Sequence, residues 1–431
     1  MASTTESPVY SPPSASGSMK AEHDEKKCSN LHAIVNVILA AIGLGVVSLP
    51  SIIARCGWVG GILLLLAAAL VTDYLICKLN TAVNIHPSGT PIHTYEQLGR
   101  VCFGRVGQIV VVAVVHLTMT GVCSAMLLLL GQNTEKMLPQ LSVKVWTCIW
   151  AALCTPLSWL RSFKEISYVS AVGLIGILGV FVIIAARGID HGANRGDEVQ
   201  HDVIRPDLLM WTVSFGNAVL SYQIANVTPT LIRDMRTPAS FPKVVSLGLL
   251  IVFMVYVGLG ASGYYGYGRS LIDDPIINSI APAGSTLDAW GYALVVAILV
   301  MCFPHYLVML LPIVASIEYA FHVDVMDTSW RSFTKRIVLR TLFVGFTLIV
   351  AIAVPSVEKL VDLLGVFTMV IIAMLLPAIL YCRMRMLNEV SLKKIFTNHP
   401  LEMLVLTFLT LLAVVIMVVG GYAAIDSFQS P

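Results

Sequence analysis

The sequence predicts an all-α membrane protein with eleven transmembrane helices, and three observations lead to this fold class. The chain of 431 residues is 57% hydrophobic and only 12% charged, which is about half the charge of a soluble domain. Apolar runs long enough to cross a bilayer recur along the whole chain. Lysine and arginine collect in alternate connecting segments, which is typical of a polytopic protein with basic cytoplasmic loops.

The apolar runs give the number of predicted spans. The eleven segments lie at about 31–54, 58–80, 106–131, 143–160, 166–186, 208–232, 243–266, 287–320, 337–355, 357–381 and 399–421. The eighth segment contains Pro304 and Pro312 but no polar turn, and two spans need about 40 residues. We therefore expect a single kinked helix there.

The basic residues predict the orientation. With the polar residues 1–30 placed in the cytoplasm as a disordered tail, 19 of the 27 lysines and arginines fall on the cytoplasmic side and eight on the other. An odd number of spans places the short C-terminal tail, 422–431, on the non-cytoplasmic side. The chain opens on polar residues rather than a signal peptide, so we expect the first span to direct its own insertion.

Composition also excludes several functional classes. A net charge of +2 gives no nucleic-acid signature. The nine cysteines form no CxxC pair and no Cys/His metal spacing, so we expect neither a metal nor another cofactor. The membrane domain, 31–421, leaves no soluble domain large enough for an active site.

Two predicted spans are interrupted. Gly43, Gly45 and Pro50 lie within the first apolar run, although glycine costs about 1 kcal/mol and proline about 3 kcal/mol inside a helix. Polar side chains lie between Phe215 and Pro229 in the sixth. Breaks at corresponding places in two halves indicate an inverted repeat with a site at the membrane midplane. Close packing by small residues is the alternative for the Gly-x-Gly pattern alone.

The positions of the breaks divide the membrane domain. Helices 1–5, about 31–186, form the first predicted repeat. Helices 6–10, about 208–381, form the second, and helix 11, about 399–421, is an addition. The predicted fold is therefore a five-plus-five inverted repeat in which helices 1 and 6 are interrupted.

These segments resemble the amino acid/auxin permease family, a group of amino acid/polyamine/organocation-type secondary transporters. The resemblance covers about residues 31–420, and its motifs occur in the family's order. They are Asn36 through Trp58, Tyr222 through Met235, Pro238 with Phe241–Lys243, Gly263 through Gly268, Pro312 with Glu318, and Leu364, Gly365 and Pro377. The resemblance implies a secondary amino-acid transporter with the five-plus-five fold.

The breaks and the resemblance together predict a substrate site between helices 1 and 6. The carboxylate of an amino acid is attracted to exposed N–H groups, and its amine to unwound carbonyls. The predicted carboxylate site comprises Ile42, Gly43, Leu44 and Gly45, and the predicted amine site comprises Ser221, Tyr222 and Gln223. Phe215 is equally consistent with a pocket wall and with plain packing.

Four ionisable residues within the apolar segments are candidates for proton coupling or gating. They are Asp73, His116, His305 and Glu318. A histidine titrates near neutral pH and relays protons, whereas a hydrogen-bonded core histidine is the simpler interpretation. For Asp73 a helix-to-helix hydrogen bond is the alternative. We expect Glu318 to pair with a cytoplasmic arginine such as Arg331 or Arg233.

The sequence-based hypothesis is a secondary transporter of small neutral amino acids, coupled to protons, in the plasma membrane or a vacuolar or other internal membrane. Sodium-coupled relatives have an asparagine four residues before the first glycine, where this chain has Leu39, which favours protons. One rival is an amino-acid sensor that keeps the site without efficient transport. Another is an intramembrane enzyme, for which His116 with Asp73 is the candidate pair. The expected partners are the amino acid and the lipid bilayer.

Overall fold

The computed structural model describes most of the chain, and the described part is helical. The described ranges are 28–85, 92–159, 163–195, 198–272, 274–321, 323, 329–389, 397 and 399–429. The predicted N-terminal tail lies outside these ranges up to residue 27. Within them, extended pairing is confined to one isolated bridge between Cys28 and Met235.

The helices are numbered α1 to α16 in chain order. Their bounds are α1 (Asn30–Ala41), α2 (Leu49–Cys56), α3 (Trp58–Asn84), α4 (Tyr95–Met137), α5 (Val143–Ser158), α6 (Phe163–Arg195), α7 (Leu208–Ser221), α8 (Thr228–Asp234), α9 (Phe241–Tyr267), α10 (Ile276–Ile280), α11 (Ala289–Ala320), α12 (Trp330–Ala353), α13 (Val357–Leu363), α14 (Leu376–Glu389), α15 (Pro400–Val415) and α16 (Gly421–Gln429). Short 3-10 and π-helical turns join several of them.

Eight helical stretches of the described chain are long and apolar enough to cross a membrane. A ninth is formed by α1 together with Gly45–Cys56, which are bent by 64° relative to each other. The shorter helices α5 and α7, of 16 and 14 residues, lie within the predicted fourth and sixth segments. The predicted eighth segment is one helix, α11, with both prolines inside it. The total of eleven spans stays a prediction.

The helix in the third segment extends beyond its apolar run, 106–131. It begins at Tyr95 because the Thr94 side chain accepts a hydrogen bond from Gln97 N and caps the first turn. Phe103 and Gly104 have non-helical dihedral angles, with φ of 65° at Gly104, and kink the helix before the membrane-length part. Polar capping and a glycine kink therefore set an element boundary that hydropathy alone does not show.

The connection between α6 and α7 crosses the junction of α2 and α3. Trp58 N donates to Asp202 O, and Val59 N donates to Val203 O, both at 2.9 Å. Gly57 makes this possible, because its φ is 83° and a Cβ there would lie 2.8 Å from Val203 O. The Arg269 guanidinium hydrogen-bonds to Asp202 and lowers the pKa of that carboxyl. This connection fixes the far end of α2.

Candidate functional site

The first predicted break is present between α1 and α2. Helix α1 ends at Ala41, Ile42 and Gly43 are extended, and a 3-10 turn covers Leu44–Ser48 before α2 begins. The first bond of that turn runs from Val46 N to Gly43 O at 3.2 Å. The N–H groups just before Val46 therefore lie outside the intrahelical ladder. The side chain of Leu44 lies outside the described residues.

The second predicted break follows α7. The helix ends at Ser221, and Ile224 N donates to Tyr222 O at 2.8 Å in a tight turn. A 3-10 turn, Ala225–Val227, then leads into α8, where Pro229 occupies the first turn. Proline is tolerated there because that N–H would have no helical partner. Both interruptions thus lie where glycine, proline and polar residues predicted them.

The two breaks lie in direct contact. A Cβ atom built on Gly45 would lie 2.7 Å from Cα of Ser221 and 2.9 Å from its Cβ. Ser221 is fully buried, and its hydroxyl donates to Asn217 O at 2.9 Å. Glycine is required at position 45 because the 3-10 turn presses against the end of α7. The close approach brings predicted carboxylate-binding and amine-binding residues together.

A tyrosine of α9 joins the two breaks from a third side. The Tyr256 hydroxyl lies 3.1 Å from Ala41 O and 2.8 Å from Ser221 O, the last carbonyls of α1 and α7. The Tyr256 ring is fully buried and lies 5.1 Å from the ring of Tyr222. The Ser221 carbonyl, proposed from sequence as part of the amine site, therefore already has one protein donor.

The two broken helices are also tied at their other ends. Cys28 N donates to Asp234 O at 2.9 Å, and Arg236 N donates to Cys28 O at 3.1 Å. Hydroxyl donors from Thr237 and Ser240 reach the Asn30 side chain at 2.8 and 2.9 Å. The start of α1 and the end of α8 therefore form one unit, which we call the clasp (residues 28–30 and 234–240).

His305 is the predicted ionisable residue that lies at a break. A Cβ built on Gly43 would be 4.0 Å from His305 Nε2, so the imidazole of α11 faces the gap in the first broken helix. Its side chain is half-buried and has no hydrogen-bond partner among the residues that the structure describes. A free imidazole at this place is available to a ligand or a proton.

The other predicted binding residues divide into those at the gap and those beside it. Gln223 lies at the second break, half-buried, with no hydrogen bond to other described residues. Tyr222 is fully buried, and its hydroxyl is directed to Leu65 O of α3 at 3.4 Å. Phe215 lines an apolar pocket of about 390 Å³ between α3, α7 and α15, which is open at the side of the bundle. The structure does not bring Phe215 to the gap.

Two predicted ionisable residues make local hydrogen bonds away from the breaks. Asp73 of α3 accepts from the Ser246 hydroxyl of α9 at 2.8 Å. His116 lies 2.7 Å from Val112 O, one turn earlier in its own helix. These contacts agree with a helix-to-helix hydrogen bond for Asp73 and a hydrogen-bonded histidine for His116. Asp73 and His116, the candidate enzyme pair, thus have separate hydrogen-bond partners.

Glu318 forms the buried ion pair that the sequence led us to expect, but with another arginine. Its carboxylate accepts from Nε and Nη2 of Arg340 at 2.6 and 3.2 Å, rather than from Arg331 or Arg233. Arg340 also donates from Nη1 to Ser158 O. The pair therefore fastens α5, α11 and α12 together, and both side chains are under 5% exposed.

A second ion pair joins the broken helix α2 to α13. Arg55 Nη1, at the end of α2, lies 3.2 Å from the carboxylate of Asp362 in α13. The Asn217 amide of α7 donates to the same carboxylate oxygen. This triad connects α2 and α7, one half of each broken helix, to the tenth predicted span.

Sequence reasoning missed the triad and Tyr256. Arg55 and Asp362 are 307 positions apart, so spacing gives no indication that they pair. Tyr256 is one tyrosine in an apolar run, which sequence alone interprets as core. The usable signal is a hydroxyl-bearing side chain within an apolar span, because the ends of interrupted helices leave carbonyls that need a donor.

The fold, with two interrupted helices in contact inside an all-helical bundle, defines a membrane transporter. Mhp1 in an inward-facing conformation has a similar structure, with a TM-score of 0.61 and 13% identity over 94% of this chain and 91% of that one. Mhp1 in a closed conformation with bromovinylhydantoin bound has a TM-score of 0.52, with 14% identity over 94% and 92%. These likenesses concern the fold.

The family described as "Transmembrane amino acid transporter protein" matches residues 26–424, and the chain belongs to it. Similar Arabidopsis thaliana proteins include amino acid transporter AVT1E, 22% identical over 96% of this chain and 76% of the relative. AVT1B is 25% identical over 96% and 74%, and AVT1J is 24% identical over 90% and 88%. The family resemblance is confirmed, and amino acid transport, not catalysis, is the activity of this family.

Proposed function

We propose that this protein is a proton-coupled secondary transporter of small neutral amino acids that works by alternating access around the breaks between α1 and α2 and between α7 and α8. The contact of Gly45 with Ser221 supports the proposal, because it places unpaired N–H groups and helix-end carbonyls in one small volume. These groups match the two charged ends of an amino acid without any charged side chain.

His305 is the proposed proton-handling residue. Its imidazole faces Gly43 and has no hydrogen-bond partner among the described residues. Leu39 in place of an asparagine agrees with proton rather than sodium coupling. The five-plus-five repeat and a cytoplasmic N-terminus complete the proposal, with transport in the plasma membrane or an internal membrane.

Uptake of radiolabelled alanine, serine and glycine into proteoliposomes, with and without a pH gradient, tests this function. We expect uptake that a pH gradient accelerates and that an equal sodium gradient does not. Binding of an amino acid without uptake or exchange would overturn the transporter proposal in favour of a sensor. Uptake that is indifferent to the pH gradient would overturn the coupling alone.

The site is tested by Gly45→Ala with Gly345→Ala as the matched control. The added methyl at position 45 meets the α7 backbone at 2.7 Å, whereas the environment of Gly345 is open. We expect Gly45→Ala to reach the membrane and to lose most uptake, while the control variant transports normally. Normal uptake by Gly45→Ala would refute the site.

A further inference from the structure

The Tyr256 hydroxyl lies where the two broken helices end. Its distances of 3.1 Å to Ala41 O and 2.8 Å to Ser221 O place it between the terminal carbonyls of α1 and α7. Terminal carbonyls have no N–H partner within their own helix and carry the negative end of the helix dipole. Two such ends in one buried place repel each other unless a donor lies between them.

One hydroxyl cannot satisfy both carbonyls equally. A phenol has a single proton to donate, so the two acceptors share it or compete for it. Ala41 and Ser221 are 1% and 0% exposed, which leaves little room for water to replace the missing donor. A relative movement of the two helix ends therefore changes a hydrogen bond that both of them need.

We propose that Tyr256 is a positioning residue for transport, whose hydroxyl holds the ends of α1 and α7 together while the segments beyond the breaks change position. The proposal rests on the proposed function and goes beyond it, because it gives a role to a residue of α9 that is not one of the predicted substrate-binding residues. The Tyr222 ring packs against Tyr256 and keeps the phenol in place. The hydroxyl, rather than the ring, is the essential group.

Tyr256→Phe removes the hydroxyl and keeps the ring, and Tyr306→Phe is the matched control. Tyr306 is equally buried, but its hydroxyl meets Thr347 between α11 and α12 at 3.0 Å, away from both helix ends. In proteoliposomes we expect Tyr256→Phe to lower the maximum uptake rate about tenfold, with half-saturation changed less than about twofold. The control should keep both parameters. An unchanged maximum rate, or a raised half-saturation constant alone, would overturn the proposal.

Hydrogen exchange of the substrate-free protein in nanodiscs gives a second readout that needs no transport. Without the shared donor, the amides of 42–46 and 222–227 should exchange faster together, and the control variant should leave them unchanged. Faster exchange at one break alone contradicts the shared role. If the wild-type protein transports nothing, the proposed function fails, and exchange still decides the role of Tyr256. Unfolding of Tyr256→Phe but not of the control would show a structural role only and overturn the proposal.

Discussion

Two buried ion pairs in the described part of the bundle differ in how completely their polar groups are satisfied. Arg340 uses Nε, Nη1 and Nη2, giving two bonds to Glu318 and one to Ser158 O, and both charged side chains are under 5% exposed. Arg55 makes one bond of 3.2 Å to Asp362, and those side chains are 13% and 10% exposed. The Arg55–Asp362 pair joins residues 307 positions apart, whereas Glu318 and Arg340 lie on consecutive helices.

The incomplete pair joins the broken helix α2 to α13, whereas the complete pair joins two unbroken helices, α11 and α12. Arg55 Nε and Asn217 Oδ1 are buried without a hydrogen-bond partner in the described part of the chain. A charge pair with unsatisfied atoms loses less when it separates than one with every donor used. We therefore expect Glu318–Arg340 to be the stronger of the two pairs and Arg55–Asp362 to be the easier one to separate.

Breaking the Glu318–Arg340 pair should have the largest effect. Glu318→Gln leaves the Arg340 charge buried without its partner, which costs about 3–5 kcal/mol. We expect a large fall in the thermal unfolding temperature of the purified protein in detergent. As a control, Glu318→Leu combined with Arg340→Met removes both charges and should recover most of that stability. A double variant no more stable than Glu318→Gln would show that the geometry, rather than the lone charge, matters.

Breaking the pair between α2 and α13 should cost less stability and should instead change how easily reagents reach α2. Asp362→Asn keeps an acceptor for Arg55 and Asn217, so we expect a loss of about 1–2 kcal/mol. The buried thiol of Cys56, next to Arg55, should become more reactive to a membrane-permeant maleimide. Buried Cys154, one turn from Ser158, is the internal reference and should not change. Equal acceleration at both thiols would indicate global loosening and remove the contrast between the pairs.

The pair that attaches helix α15 is intermediate. Lys78 Nζ lies 2.6 Å from Glu402, which also accepts from the Tyr381 hydroxyl, and the two charged side chains are about one-fifth exposed. Lys78→Met should cost about 1 kcal/mol in chemical unfolding. Uptake by the folded protein should be retained, because the pair lies outside the two breaks. A strong loss of uptake would show that α15 takes part in the movement.

The exposed pair of Arg187 with Asp190 gives the smallest effect. Its side chains are 25% and 46% exposed, and salt screens such contacts. We expect Arg187→Gln to change stability by less than about 0.5 kcal/mol. The measurement is the unfolding temperature at low and high salt. If Arg187→Gln lowered stability as much as Lys78→Met does, the expected rank of the ion pairs by burial would be wrong.

Local composition predicted the parts of the fold that depend on local chemistry. Apolar run length predicted the long helices, because lipid requires every backbone group to be paired within the span. Gly43 and Gly45 predicted the first break, and polar residues near Tyr222 predicted the second. His305 was selected because an ionisable group inside a span is expensive. These features need no knowledge of which helices touch.

Features that depend on contacts between distant segments could not be obtained in this way. The charge of Glu318 predicted an arginine partner. Which arginine it is, Arg340, depends on how α11 packs against α12. Phe215 was ambiguous because an aromatic side chain suits a pocket wall and plain packing equally. The shared hydroxyl of Tyr256 exists only because α9 brings it to two helix ends at once.

The clasp between residues 28–30 and 234–240 has a consequence for how the protein is instrumented. The chain ahead of Cys28 enters the fold through backbone bonds to Asp234 and Arg236. A fluorescent protein or surface tether attached at the N-terminus is therefore connected to both broken helices, and any force on it acts on both of them. A reporter placed after α16 is attached to a helix that is not part of the clasp. For single-molecule work, attachment at the C-terminal end should therefore disturb the broken helices less.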